Sequence, residues 1–349
     1  MSENAPADPG GPPAARAQLA ALITRCWSTQ VIHAAVTLGV IDALRVDAAQ
    51  APDLARRTHT HPRATFRLLR ALAALDLARQ EPDGRFALTA AGELLARDAP
   101  GSLASLALHW GTRTWPGLAH LPEAVRTGEP WPHAGRAGFA ALGERPAEAA
   151  RFNRAMVDQT LGVARSIVES YDFARFGSIL DVGGGYGALL SAVLQACPAM
   201  RGASFDLPYM QPEAEAFLAH AGLAGRAQFI GGDFFAALPA GFDAYVLKYV
   251  IHDWDDEQSI TILRRCRAAA GARARVLLVE QIVPERATAH GALEPVIRAD
   301  INMLAVTGGL ERTLAEYDAL CAAAGLERSG VATSRSGFSV IELRARRSV

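Results

Sequence analysis

The sequence all but omits lysine: of its 35 lysine and arginine residues, only Lys248 is a lysine. Nor does it carry an excess of either charge, since 35 basic side chains face 36 acidic ones, so no global field draws it to nucleic acid or an anionic membrane. Cysteine is scarce as well. Cys26, Cys197, Cys266 and Cys321 form no C-x-x-C pair, which argues against a zinc knuckle or a disulfide framework and fits reduced thiols in a cytoplasmic protein. No uncharged run of about 18 residues is present to cross a bilayer. The opening "MSENAPADPGGPPAARA" has no apolar stretch of the secretory kind, and residues 1–16 read as a disordered tail.

What is present is a hydrophobic half and a charged fifth, the composition of a globular protein, and 349 residues suffice for about two domains of roughly 100–200 each. Gln18 to Leu44 is apolar at helical spacing with a break at Gly39. A helix from Pro52, a turn near His59 to Pro62, a helix from Arg63 to Leu75 and a hairpin turned at Pro82 to Gly84 then outline a winged helix, over 17–100. Arg56, Arg57, Arg63, Arg67 and Arg70 leave DNA binding open, but the domain lacks the basic excess that counterion release needs, and a packing or dimerisation module fits better. The "HTH" at His59 to His61 has no third ligand nearby and reads as a turn.

Residues 101–165 are rich in Trp, Gly and Pro before turning helical at "AEAARFNRAMVDQT", as expected of a linker that roofs a pocket; Trp110, Trp115 and Trp131 are candidates for that roof. From Gly177, strands alternate with helices, the signature of a parallel sheet with crossovers, in a domain spanning 166–349. The strands are expected at Ser178–Val182, Ala203–Leu207, Ala227–Ile230, Ala244–Val250, Val276–Gln281 and Phe338–Leu343, with helices notably at Asp255–Ala270 and Leu314–Ala324.

The first of these strands runs into "ILDVGGGYGALL". A phosphate-gripping loop would need Gly-Lys-Ser/Thr, and none exists. A dinucleotide fingerprint is met by Gly183, Gly185 and Ala188, with Asp206 at the end of the next strand. Three features favour S-adenosylmethionine instead. Asp181, Gly183, Gly185 and Gly187 form D-x-G-x-G-x-G, which lets the backbone pass close beneath a ribose and a methionine tail. "GGDFF" then supplies Asp233 for the adenine amino group and Phe234 to cover the base. Finally, "LKYVIHDWDDE" sets a histidine at the carboxyl end of a strand, where open α/β sheets hold their ligands. Asp206 and Leu207, in "FDLP", belong with the ribose contacts, and Lys248 lies on the strand facing the cofactor. A lone lysine in so arginine-biased a chain suggests that a compact ammonium matters there.

With "DVGGGYG", "FDLP", "GDFF", "LKYVIHDWDDE", "VLLVEQIVPE", "GGLERTLAEYDALCAAAGL" and, upstream, "FNRAM" in order, the chain from about Ala17 onward resembles the metal-independent O-methyltransferases of plant phenylpropanoid and bacterial polyketide pathways. The resemblance implies a Rossmann-like class I methyltransferase sheet, an α/β fold, behind an N-terminal, mostly helical, winged-helix-like dimerisation domain. It also implies a homodimer and S-adenosyl-L-methionine, spent as S-adenosyl-L-homocysteine, with a small hydroxylated aromatic as acceptor. Neither nucleic acid nor membrane is an expected partner, and no metal is expected. Tyr186 departs from the small residue many relatives carry in the glycine turn.

Methyl transfer needs an acceptor oxygen held about 3 Å from the methyl and relieved of its proton. A histidine of ordinary pKa, about 6.5, is mostly unprotonated at pH 7 and can take the proton of a phenol titrating at about 10, which makes His252 the expected base. The resemblance assigns the flanking acids to Glu280 and Glu311, although Thr313 and Glu316 look able to cap a helix by themselves. Phe152, Asn153 and Met156, with Asp253, Asn302 and Met303, are the expected acceptor-binding residues; as plain core the apolar ones are equally accounted for. A nitrogen acceptor, or a non-methylating hydroxylase or cyclase that still binds the nucleoside, remains an alternative, as does a ligand-sensing winged-helix DNA-binding protein.

Overall fold

The computed structural model describes residues 12–132, 135–286 and 294–346 and divides into two compact units, one ending at Gly111 and the other beginning at Thr112. Of the expected tail, residues 1–11 lie outside the described residues, and 12–16 are already helical, in Pro12–Thr24.

In the first unit, helices Trp27–Thr37 and Val40–Val46 meet at Gly39, whose φ of +70° is a left-handed conformation that breaks the helix there. Helices Ala51–Arg57 and Pro62–Ala74 follow, each with Pro near its start, where the missing N–H costs no bond. A hairpin of β1 (Ala78–Gln80) and β2 (Phe86–Leu88) completes the winged-helix outline around Ile41, Leu54, Leu69, Leu72 and Phe86. Arg56 and Arg57 are ion-paired to Asp53 and Asp47, and His59 is an exposed left-handed turn residue. Among the described residues, no single helix is long and apolar enough to cross a membrane.

The second unit is built on β3 (Ser178–Val182), β4 (Arg201–Asp206), β5 (Ala227–Gly231), β6 (Ala244–Lys248), β7 (Arg275–Gln281), β8 (Leu326–Thr333) and β9 (Phe338–Ala345). Their order is β5-β4-β3-β6-β7-β9-β8, parallel from β5 through β7 and antiparallel at β9 and β8. Alternate residues feed two cores. Leu180, Val182, Tyr245, Leu247 and Leu278 pack toward helices Asp256–Ala270 and Leu314–Ala323, and Ile179, Val246, Leu277 and Val279 toward Pro146–Ser170 and Ala188–Ala196.

Two expectations need correction. β8 was not foreseen, because "LERSGVAT" buries mainly its first residue and carries almost no apolar signal; it is held as the partner of β9. β6 stops at Lys248 rather than Val250, since Tyr249 takes a left-handed φ of +53° and turns the chain out of the sheet.

Candidate active site

β3 pairs with β4 on one side and β6 on the other, so the strand order reverses there and opens a crevice at the carboxyl ends. The turn from Val182 to Ala188 crosses that crevice with φ of +69°, +54° and +83° at Gly183, Gly185 and Gly187, which a side chain would strain. A Cβ at Gly183 would also lie 2.8 Å from Val250 and 3.6 Å from Phe234. A Cβ at Gly185 would meet nothing within 4 Å, so there the bare backbone faces open space.

Asp206 closes the turn from the neighbouring strand. Its Oδ2 accepts from the Gly185 N–H at 2.8 Å and its Oδ1 from the Leu207 N–H at 2.7 Å, leaving a lone pair on each oxygen, while burial pushes its pKa up to about 6. Asp181 lies beneath the turn, where a Cβ on Gly184 would come within 2.6 Å of its Cγ, and its Oδ2 is buried with no hydrogen-bond partner; burial raises this carboxyl to about 7. Asp233 Oδ1 accepts from the Phe235 N–H at 2.8 Å, and the Phe234 ring stands 5.1 Å from that of Phe235 and 5.9 Å from that of Trp254.

Lys248 ends β6 inside the protein. Its Nζ donates to Thr160 Oγ1 at 2.9 Å and lies 4.7 Å from the Tyr249 ring centroid; burial lowers its pKa to about 8 against the pull of Glu280 and Asp181. Thr160 donates in turn to the Met156 carbonyl at 2.7 Å, so the helix Pro146–Ser170 passes over this strand end.

His252 sits on a short 3₁₀ turn, Ile251–Asp253. Its Nδ1 is 2.7 Å from Oε1 of Glu311, and its ring stacks on Tyr249 with centroids 4.2 Å apart and planes within 9°. Glu280, fully buried at the end of β7, accepts on Oε1 from the N–H groups of Val250 at 3.2 Å and Ile251 at 3.0 Å. The chain behind this turn is packed against it: Leu310 N–H donates to the His252 carbonyl at 2.9 Å, and a Cβ on Gly309 would fall 1.9 Å from that oxygen. The cap foreseen at Thr313 and Glu316 is formed as well, so helix capping and the Glu311–His252 bond occur together.

The electrostatics differ from the simple expectation of a free imidazole at neutral pH. Burial alone would lower the pKa of His252, but the charges of Glu311, then Asp253, outweigh it and raise the group to about 9. The surrounding carboxyls thus bias the ring toward its protonated form. Burial lifts Glu280 to about 8 and Asp253 to about 6, so Glu280 retains a proton at pH 7. His252, Glu280 and Glu311 lie far apart in sequence, yet one ligand atom from each falls within 4.8 Å of the others, and Oε2 of both glutamates is buried without a partner. This spacing would accept a cation, a possibility the sequence did not display.

On the acceptor side, Asn153 is buried with its Nδ2 unpartnered, and the Phe152 ring meets Phe139 at 5.9 Å, which meets Trp254 at 5.7 Å. Met303 is buried, Asn302 has an unpartnered buried Oδ1, and the segment Met303–Thr307 packs on the 251–253 turn. Asp253 is part-buried, 3.8 Å from His252 Nε2. Tyr186 joins Met210, Ala214 and Phe229 in a small apolar cluster. Sequence reasoning missed Tyr249, Thr160, Phe139 and Arg312. Only the last carried a signal, an arginine directly after a candidate acid.

Comparison with known proteins places this geometry in context. Residues 118–327 match the O-methyltransferase domain and residues 20–98 the O-methyltransferase dimerisation domain. A phenazine O-methyltransferase of Lysobacter antibioticus is 36% identical over 327 residues, 93% of this chain and 94% of the relative. An 8-amino-8-demethylriboflavin N,N-dimethyltransferase of Streptomyces davaonensis is 34% identical over 321 residues, 90% and 91% of the two chains. Among solved structures, an O-methyltransferase from neocarzinostatin biosynthesis, in complex with S-adenosyl-L-homocysteine and 1,4-dihydroxy-2-naphthoic acid, superposes with a TM-score of 0.74 at 34% identity, covering 91% of this chain and 95% of that one.

Proposed function

Because the chain belongs to the O-methyltransferase family, we propose that it methylates a hydroxyl of a small aromatic natural product with S-adenosyl-L-methionine, using His252 as the base. When bound, this cofactor supplies an electrophilic methyl on a sulfonium. The cradle fits it: three left-handed glycines shape the turn, Gly185 bares its backbone to open space, and the free lone pairs of Asp206 suit a pair of ribose hydroxyls. Asp233 and Phe234 are assigned to adenine, and Lys248 to the strand end beside it.

The observation that carries the reading is the 2.7 Å contact between His252 Nδ1 and Glu311, which leaves Nε2 for the acceptor. Glu311 fixes the tautomer and ring plane, and Glu280 fixes the backbone that carries the ring. Any proton on the imidazole must leave first. A positive charge brought beside it favours the neutral form, and exclusion of water acts in the same sense. Neutral His252 would receive the hydroxyl proton of the acceptor, the bound cofactor would supply the methyl to that oxygen with cleavage of its S–CH₃ bond and release of the neutral thioether, and Asp253, Phe152, Asn153, Met156, Asn302 and Met303 are assigned to orienting the ring. A buried base is what a phenol requires and an amine need not have, which favours oxygen over nitrogen as the acceptor.

The N-terminal unit is proposed to join a second copy. Leu19, Leu22 and Ile23 on its first helix are 58%, 63% and 68% exposed, an apolar set suited to burial in a homodimer. The test is incubation with S-adenosylmethionine and a panel of hydroxylated phenazines and naphthoates, followed by mass spectrometry. A methylated product is expected; no turnover together with no uptake of S-adenosylhomocysteine by folded protein would overturn the reading.

A further inference from the structure

Arg312 is among the largest wholly buried side chains of the protein, 1% exposed, and every group on its guanidinium with a recorded bond points at one stretch of chain. Nη1 donates to the Ile251 carbonyl at 3.1 Å and Nη2 to the Trp254 carbonyl at 2.9 Å. Nε and Nη2 also donate to Asp256 Oδ1, at 3.1 and 2.7 Å. The fork therefore spans the first and last carbonyls around His252. Its own backbone is fixed independently, because the Val283 N–H donates to the Arg312 carbonyl at 3.0 Å and Ile282 and Arg312 form a parallel bridge just beyond β7.

The turn is thus gripped with opposite polarity from two sides. Its N–H groups at Val250 and Ile251 bind the Glu280 carboxyl, its carbonyls at Ile251 and Trp254 bind Arg312, and the carbonyl of His252 itself binds the Leu310 N–H. Ser259 Oγ is a second donor to the same two outer carbonyls, but at 3.4 and 3.3 Å it is a looser one. Glu311, the adjacent residue, reaches the imidazole, so one dipeptide holds both the ring and the backbone beneath it.

We propose that Arg312 is a positioning residue for methyl transfer: through its paired bonds to Ile251 and Trp254, with Asp256 fixing the plane of the fork, it sets where the His252 ring stands against Glu311 and the acceptor. A buried arginine that only filled space would have no reason to span this turn. A lysine, a point charge on a flexible stem, cannot bridge two carbonyls and a carboxylate in one plane. The inference rests on His252 being the base.

The experiment compares Arg312→Lys, Asp256→Asn and His252→Gln in the full-length protein. Asp256 is mostly exposed, so its amide variant leaves the core intact. Binding of S-adenosylhomocysteine by calorimetry and the far-UV CD melt report folding; kcat, KM and the pH dependence of kcat report positioning. Displacement of a reacting group by about 1 Å costs about 100-fold, so Arg312→Lys is expected to lower kcat by roughly 10- to 100-fold and Asp256→Asn by a smaller factor in the same direction. Cofactor affinity should stay within about threefold.

The groups facing the imidazole are the carboxyls of Glu311, Asp253 and Glu280 and the stacked Tyr249 ring. A loosened turn weakens the hold of Glu311, so the midpoint of the kcat–pH profile should move to lower pH in both variants, which simple destabilisation would not produce. Unchanged kcat and midpoint in folded Arg312→Lys overturn the proposal. Should that variant not fold, unchanged kcat and midpoint in Asp256→Asn overturn it instead. Wild-type turnover in His252→Gln would sink the base assignment itself, a separate result from the other two.

Discussion

Nδ1 of His252 stands 2.7 Å from a carboxylate oxygen of Glu311, both side chains lying inside the protein and the pair arising from segments that meet only in the folded state. If the ring is the base, His252→Gln should lower kcat by about 100-fold or more while leaving S-adenosylhomocysteine affinity unchanged by calorimetry. Glu311→Gln should move the kcat–pH midpoint downward, because the charge that chiefly opposes burial in raising the imidazole is gone. Parallel losses of affinity and turnover would mark a structural histidine.

The two carboxylate oxygens of Asp206 are aligned by the N–H groups of Gly185 and Leu207, and the proposal sets them against the ribose. A hydrogen bond to a charged group contributes about 1.5–3 kcal/mol, so Asp206→Asn should weaken cofactor binding by roughly 10- to 150-fold. A value within twofold of wild type would remove Asp206 from the ribose site.

The His252, Glu280 and Glu311 spacing can admit a cation, but proton transfer to an imidazole needs none. Dialysis against EDTA should leave kcat unaltered, and added zinc should lower it by occupying the nitrogen that Glu311 orients. Activity lost on chelation and restored by magnesium would require a metal-assisted reaction instead.

Stability should fall as pH rises from about 5 to 8. Glu280, Asp181, Asp206 and Asp253 have pKa values raised to about 8, 7, 6 and 6, so each holds its proton more tightly folded than unfolded. The resulting stabilisation is complete below their unfolded values and lost as pH climbs through the folded ones. His252, raised to about 9, acts in the same sense above its ordinary value, whereas Lys248, lowered to about 8, opposes it only at higher pH. Thermal scans should give Tm several degrees lower at pH 8 than at pH 6; a flat or rising Tm would mean these carboxyls are hydrated.

The parts of this site that sequence revealed are those made within one segment. The glycine turn follows a buried strand directly, and His252 follows another, so local pattern displays both. Glu311 bonding to His252 is tertiary, and only the family resemblance pointed to it. Arg312 showed in the sequence only as an arginine next to a candidate acid, because burial of its guanidinium depends on carbonyls supplied by a distant turn. β8 escaped for a related reason: an edge strand exposes much of its length, so its pairing with β9 leaves little trace in hydropathy.

The solitary ε-amine of this chain has a practical consequence. Endoproteinase Lys-C has one possible cut, after Lys248, and that peptide bond runs from the last residue of a central strand into the left-handed Tyr249. Cleavage therefore requires the crevice end of the sheet to open, and two fragments of about 248 and 101 residues would time that opening in the native enzyme. Saturation with S-adenosylhomocysteine should slow their appearance, turning a compositional oddity into a clock for breathing motions at the catalytic end of the fold.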